Sequence, residues 1–151
     1  NAMATVGDKS CTDVNSCFGA EGMMGEESCT GLNACFGLKA NATVGSSSCT
    51  AQGSCNGAKG TVGIESCVGL GSCRNAEGTV GDESCTGQNA CKGLNAMATV
   101  GDKSCTDVNS CFGAEGMMGE ESCTGLNACF GLKANATVGS SSCTAQGSCN
   151  G

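Results

Sequence analysis

The sequence predicts an all-β fold, a three-sided β-solenoid of eight 18- or 20-residue coils with a disulfide ladder. Three observations predict it. Cysteines come in pairs six residues apart, and the first members of the pairs are separated by 18 or 20 residues. Each unit also reads [TM]-[VM]-G-x-x-S-C-[TV]-x-x-x-[SA]-C, and a period of this length marks stacked repeats that bury their apolar sides only against one another. Within a unit a finer grain of six residues, V-G-x-x-S-C then T-G-x-x-A-C, divides each coil into three segments with Gly, Asn or Asp at the bends.

Sorting the stacked columns by what they tolerate assigns each one a side. The two cysteine columns never vary, and the columns Val6, Met24, Val44, Val62, Val80 and Ala20, Leu38, Ala58, Ala76, Leu94 stay apolar, so these four line the interior. The position after the second cysteine holds Phe18, Phe36, Asn56, Arg74, Lys92, Phe112, Phe130 and Asn150. A column that accepts Arg and Lys faces water, so Phe18, Phe36, Phe112 and Phe130 are candidates for lateral contacts. Glu26, Glu27, Asp82, Glu83, Asp102, Glu120 and Glu121 share two columns with Lys9, Ser46, Ser47 and Ile64, which reads as a solvated corner rather than a calcium cage. The longer units carry two extra residues at one corner, as in LKANATVG against AEGTVG, where strands stay in register. Asn41-Ala42-Thr43 and Asn135-Ala136-Thr137 fall at that insertion and are possible glycosylation acceptors at Asn41 and Asn135.

A second period overlies the first. Residues 1–57 are identical to residues 95–151, an offset of 94 residues or five coils, so residues 1–151 read as a single continuous solenoid with a superrepeat. The opening Asn1-Ala2-Met3 recurs as Asn95-Ala96-Met97 and is read as native. The pattern is cut at both ends, and the expectation is a window on a longer array or a unit that stacks end to end.

Composition narrows function. Sixteen Cys with no His, Trp or Tyr and only four Phe rule out an ordinary aromatic core, and the even Cys count in an acidic chain points to disulfides and an extracellular or cell-surface location. Pairing within a coil joins Cys11 to Cys17, Cys29 to Cys35, Cys49 to Cys55, Cys67 to Cys73, Cys85 to Cys91, Cys105 to Cys111, Cys123 to Cys129 and Cys143 to Cys149. Pairing between coils, about 4.8 Å apart, also fits the geometry of a bridge, although the constant spacing of six favours the first scheme. Zinc sites show C-x₂₋₄-C spacing and often His, and neither is present, so no metal or other cofactor is expected. A net charge of −7 with scattered Lys and Arg excludes nucleic acid and anionic membrane as partners. With no His, and no Ser or Asp standing out from its column, no catalytic residues are expected.

The stretches SCTDVNSC, SCTGLNAC and SCTGQNAC are similar to the coil motif of the cysteine-rich beetle antifreeze proteins, over about eight residues of each coil. The resemblance implies a disulfide inside each coil, Cys11 with Cys17 and so on. It also implies an outward ice-binding face of Ser10, Thr12, Ser28, Thr30, Ser48, Thr50, Ser84, Thr86, Ser104, Thr106, Ser122, Thr124, Ser142 and Thr144. The coils here are longer, one flanking column is Ser, and Val68 interrupts the other. The leading expectation is a non-catalytic extracellular structural protein that forms a fibre, stalk or surface layer by end-to-end and lateral self-association. Ice binding through the Ser-Cys-Thr face is the alternative.

Overall fold

The computed structural model describes residues 4–151, so Asn1-Ala2-Met3 lies outside the described residues. Eight two-residue strands, β1 (Thr5–Val6), β2 (Met23–Met24), β3 (Thr43–Val44), β4 (Thr61–Val62), β5 (Thr79–Val80), β6 (Thr99–Val100), β7 (Met117–Met118) and β8 (Thr137–Val138), form one parallel sheet in chain order. Each strand pairs with its equivalent in the next coil, Thr43 with Thr61 and Val44 with Val62, so register advances by one whole coil. This is a parallel β-solenoid. Only one side of the coil is β-strand; the remaining two run as turns, and left-handed backbone recurs in them.

Backbone hydrogen bonds tie every side of a coil to both neighbours. In the third coil Gly45, Cys49, Cys55 and Lys59 N–H groups donate forward to Val62, Ser66, Ser72 and Ala76 at 2.8–3.0 Å. Ser47, Gly53 and Gly57 donate backward to Glu26, Leu32 and Phe36 at 2.9 Å. A coil is therefore bonded as a strand would be even where its dihedrals are those of a turn, which leaves few buried donors without partners.

The glycine after each strand has a task the sequence assigned to bends. A Cβ placed on Gly45 would lie 2.7 Å from the carbonyl carbon of Gly63, and one on Gly25 would lie 2.6 Å from the Ser46 amide nitrogen. These positions are glycine because the next coil's backbone passes where a side chain would begin.

The two-residue insertions form an extra turn, at Ala40 and Asn41 in the second coil, and Asn41 and Asn135 are both exposed there. The turn closes with Ala42 N–H donating to the Lys39 carbonyl at 2.9 Å, and Ala42 then accepts from Met23 as Gly60 accepts from Thr43. Leucine replaces alanine in the interior column at Leu38, Leu94 and Leu132, the three coils with an insertion. Its side chain reaches beneath the glycine of the preceding coil. Leu38 Cδ2 lies 2.9 Å from the position of a Cβ on Gly22, and Leu94 stands likewise 3.1 Å from that of Gly78.

Candidate functional site

The core is narrow: Val44, Val80, Val100, Leu38, Leu94, small alanines and sulfur. Eight disulfides close within coils, from Cys11–Cys17 through Cys29–Cys35, Cys49–Cys55, Cys67–Cys73, Cys85–Cys91, Cys105–Cys111 and Cys123–Cys129 to Cys143–Cys149, with Cα atoms 5.4–5.8 Å apart. Successive bridges stack closely enough that the sulfurs of Cys67, Cys73 and Cys85 lie within 4.8 Å of one another, as do those of Cys105, Cys111 and Cys123. Every one of these sulfurs is committed to a disulfide, so none is a thiolate ligand.

The first cysteine of all eight coils has φ between 53° and 59°. Left-handed backbone costs a residue other than glycine roughly 1–2 kcal/mol. The bridge and the inter-coil hydrogen bonds hold it there, and the conformation redirects its neighbours. In a strand, the Ser before an inward Cys would point outward. Here the residue before Ser and the Cys after it both have positive φ, for example Ser47 at 56° and Cys49 at 56°, and alternation fails. The serine column turns in.

This corrects the sequence expectation for the Ser-Cys-Thr face. Ser28, Ser48, Ser84, Ser104 and Ser122 are fully buried, and Ser10 and Ser142 in the terminal coils are half-buried. The Ser48 hydroxyl donates to the Gly63 carbonyl at 2.7 Å and accepts from the Ser66 N–H at 3.0 Å. Ser84 does the same with Gly101 at 2.8 Å and Ser104 at 3.0 Å. These serines lace coils together and cannot present hydroxyls to ice. Thr30, Thr50, Thr86, Thr106 and Thr124 are half-buried, and Thr12 and Thr144 are exposed. A Ser48→Ala variant is expected to lose about 1–3 kcal/mol, because the Gly63 carbonyl and Ser66 N–H lose their shared partner. Thr50→Ala, two residues away, is expected to change stability by under about 0.5 kcal/mol when the two variants are compared by chemical denaturation.

The phenylalanines gather into two stacks. Phe18 and Phe36 have ring centroids 5.5 Å apart, and Phe112 and Phe130 have theirs 5.2 Å apart. Phe18 is 66% exposed, Phe36 and Phe130 are exposed, and Phe112 is half-buried between Phe130 and the Lys92 ammonium, 5.4 Å from its ring. Val14 and Leu70 add apolar surface on the same side.

Between the stacks lies a shallow groove of about 390 Å³, lined by Asn33, Gln52, Asn56, Leu70, Arg74 and Asn89. Its floor opens because Gly53 and Gly71 stand in a column that is Asn at Asn15, Asn33, Asn89, Asn109 and Asn127. Where Asn is present the column closes, as in the Asn109 to Asn127 amide hydrogen bond of 3.1 Å. The groove was not foreseen, although the Asn-to-Gly change in that column was its sequence signal.

Charge is also unevenly placed. The turns after six of the eight strands carry Asp8, Glu26, Glu27, Glu65, Asp82, Glu83, Asp102, Glu120 and Glu121 against Lys9 and Lys103, nine acids to two bases; elsewhere five acids balance five bases. This one edge thus holds the whole net charge of −7. Lys9 donates to Glu27 at 2.9 Å, and that hydrogen bond holds its ammonium above the ordinary lysine range; Lys103 pairs with Glu83 at 4.0 Å. Glu26, Glu65, Glu120 and Glu121 have no basic partner among the described residues.

A family model described as a domain of unknown function, DUF7640, matches residues 1–53 and 38–151. The chain belongs to this family. The two matched segments of the DUF7640 chain overlap over residues 38–53, as a chain built of interchangeable coils allows. No curated protein and no solved structure matches it. No helix among the described residues is long and apolar enough to cross a membrane.

Proposed function

We propose that the DUF7640 chain is a non-catalytic structural rod of an extracellular, oxidising environment, and that it works by associating laterally with copies of itself in a fibre, stalk or surface layer. Eight disulfides need an oxidising compartment to form and persist. The observation that carries the reading is the repeat of the aromatic stack. Phe18–Phe36 and Phe112–Phe130 are the same feature five coils apart, roughly 24 Å along an axis that advances about 4.8 Å per coil. Apolar patches set at a fixed interval on an otherwise polar rod are suited to side-by-side packing, because one match between two rods brings the next into place.

Electron microscopy of the purified chain tests this. Bundles or sheets of aligned rods are expected, and a variant carrying Phe18→Ser, Phe36→Ser, Phe112→Ser and Phe130→Ser is expected to disperse into single rods roughly 38 Å long. Parent protein that stays as discrete rods at high concentration contradicts the reading.

A further inference from the structure

We infer that the partner of the groove is the acidic edge of a second copy of this chain, so that rods pack edge into groove rather than face to face. The inference rests on the lateral association proposed above and assigns the two surfaces that meet. The groove side holds Arg74 and Lys92, and neither takes part in an ion pair among the described residues. Arg74 lies among the amides of Asn33, Gln52, Asn56 and Asn89, a setting that offers carboxylates hydrogen-bond donors as well as charge. The acidic edge supplies the counterpart: Glu26, Glu120 and Glu121 are exposed and form no ion pair among the described residues.

Charge decides between the possible pairings. Two groove faces laid in register, or related by a two-fold axis through the coil of Arg74, bring like charges together. Two acidic edges repel more strongly, since each holds the full net charge. Edge on groove is the arrangement that leaves carboxylates on guanidinium and ammonium. Its surfaces differ, so the contact is heterologous and does not close on itself; each rod keeps a free edge and a free groove, and growth continues into a sheet or fibre.

The test is a charge exchange followed by sedimentation velocity at about 0.1 M salt. There the screening length is roughly 10 Å, so contacts persist while long-range repulsion between acidic rods is screened. One variant carries Arg74→Glu and Lys92→Glu; the other carries Glu26→Lys, Glu120→Lys and Glu121→Lys. Each alone is expected to sediment as single rods, and a one-to-one mixture is expected to recover the assembly of the parent, because each reversed surface then meets its complement. Recovery in the mixture also shows that both variants fold. Raising salt to about 1 M, where screening shortens to roughly 3 Å, is expected to weaken the parent assembly as the edge-in-groove contacts loosen, whereas packing through phenylalanine alone persists unchanged. Either variant assembling alone like the parent, or a mixture that stays dispersed, overturns the pairing. If the charge variants assemble normally while the phenylalanine variant disperses, lateral association stands and the edge-in-groove contact falls. A parent that never assembles removes both.

Discussion

Gly45→Ala is expected to split the rod between its third and fourth coils. The added methyl would sit 2.7 Å from both the carbonyl carbon and the oxygen of Gly63 and 2.8 Å from the Ile64 nitrogen. All three are backbone atoms, so no side chain can swing aside. Gly45 does not have positive φ, so alanine brings no dihedral strain and the effect is purely one of separation. To relieve the clash the coils must part, and the neighbouring hydrogen bonds from Gly45 to Val62 at 2.8 Å and from Cys49 to Ser66 at 3.0 Å stretch together. The loss is expected to be about 3 kcal/mol, the upper end for overpacking, and hydrogen exchange should quicken first in the strands on either side. Gly139→Ala is the control. It occupies the same column in the last coil, where the nearest atom to an added Cβ is Ser142 Oγ at 3.7 Å, and it is expected to change stability by under about 0.5 kcal/mol. Equal effects at the two sites would contradict coil spacing as the reason for the invariant glycine.

Opening the disulfides is expected to have the larger effect. The interior offers one valine or methionine, small alanines and at most one leucine per coil, too little apolar surface to offset the ordering of a whole chain. Each bridge closes a loop of six-residue separation, for which loop entropy gives about 2 kcal/mol. Eight of them amount to on the order of 15 kcal/mol, comparable to the entire stability of a typical domain. Full reduction is therefore expected to unfold the chain at room temperature, with loss of the strand signal in circular dichroism. Position matters for a single bridge, because a solenoid is stabilised by nearest-neighbour contacts. Replacing Cys67 and Cys73 by alanine is expected to uncouple the two halves and turn one thermal transition into two. Replacing Cys143 and Cys149 in the last coil should only fray the end. A reduced chain that keeps its strands and its melting temperature would mean that the backbone ladder, not sulfur, holds the rod.

Much of this architecture was legible in the cysteine and valine columns. Their fixed spacing gave the coil length, the number of coils and the site of the insertions, because a residue facing a one-coil-wide interior has no latitude. The serine column was misread because alternation is a property of strands. With the flanking residues at positive φ, Ser48 and Cys49 both enter the stack. Left-handed conformation at a cysteine leaves no mark in composition, since unlike Gly or Asn a cysteine does not announce it. The glycine after each strand was visible, but its reason lay in the neighbouring coil and not in its own dihedrals. The groove around Arg74 and the acidic edge were present as column changes and column sums. Their meaning depended on which columns share a side, and stacking alone supplies that.

Disulfide mapping of the intact, unreduced chain by mass spectrometry tests the sulfur ladder most directly. Eight bridges are expected, each joining a cysteine to the one six residues on, with no free thiol. Peptides linked between coils, Cys55 to Cys67 for instance, or a substantial fraction of free thiol, would contradict it.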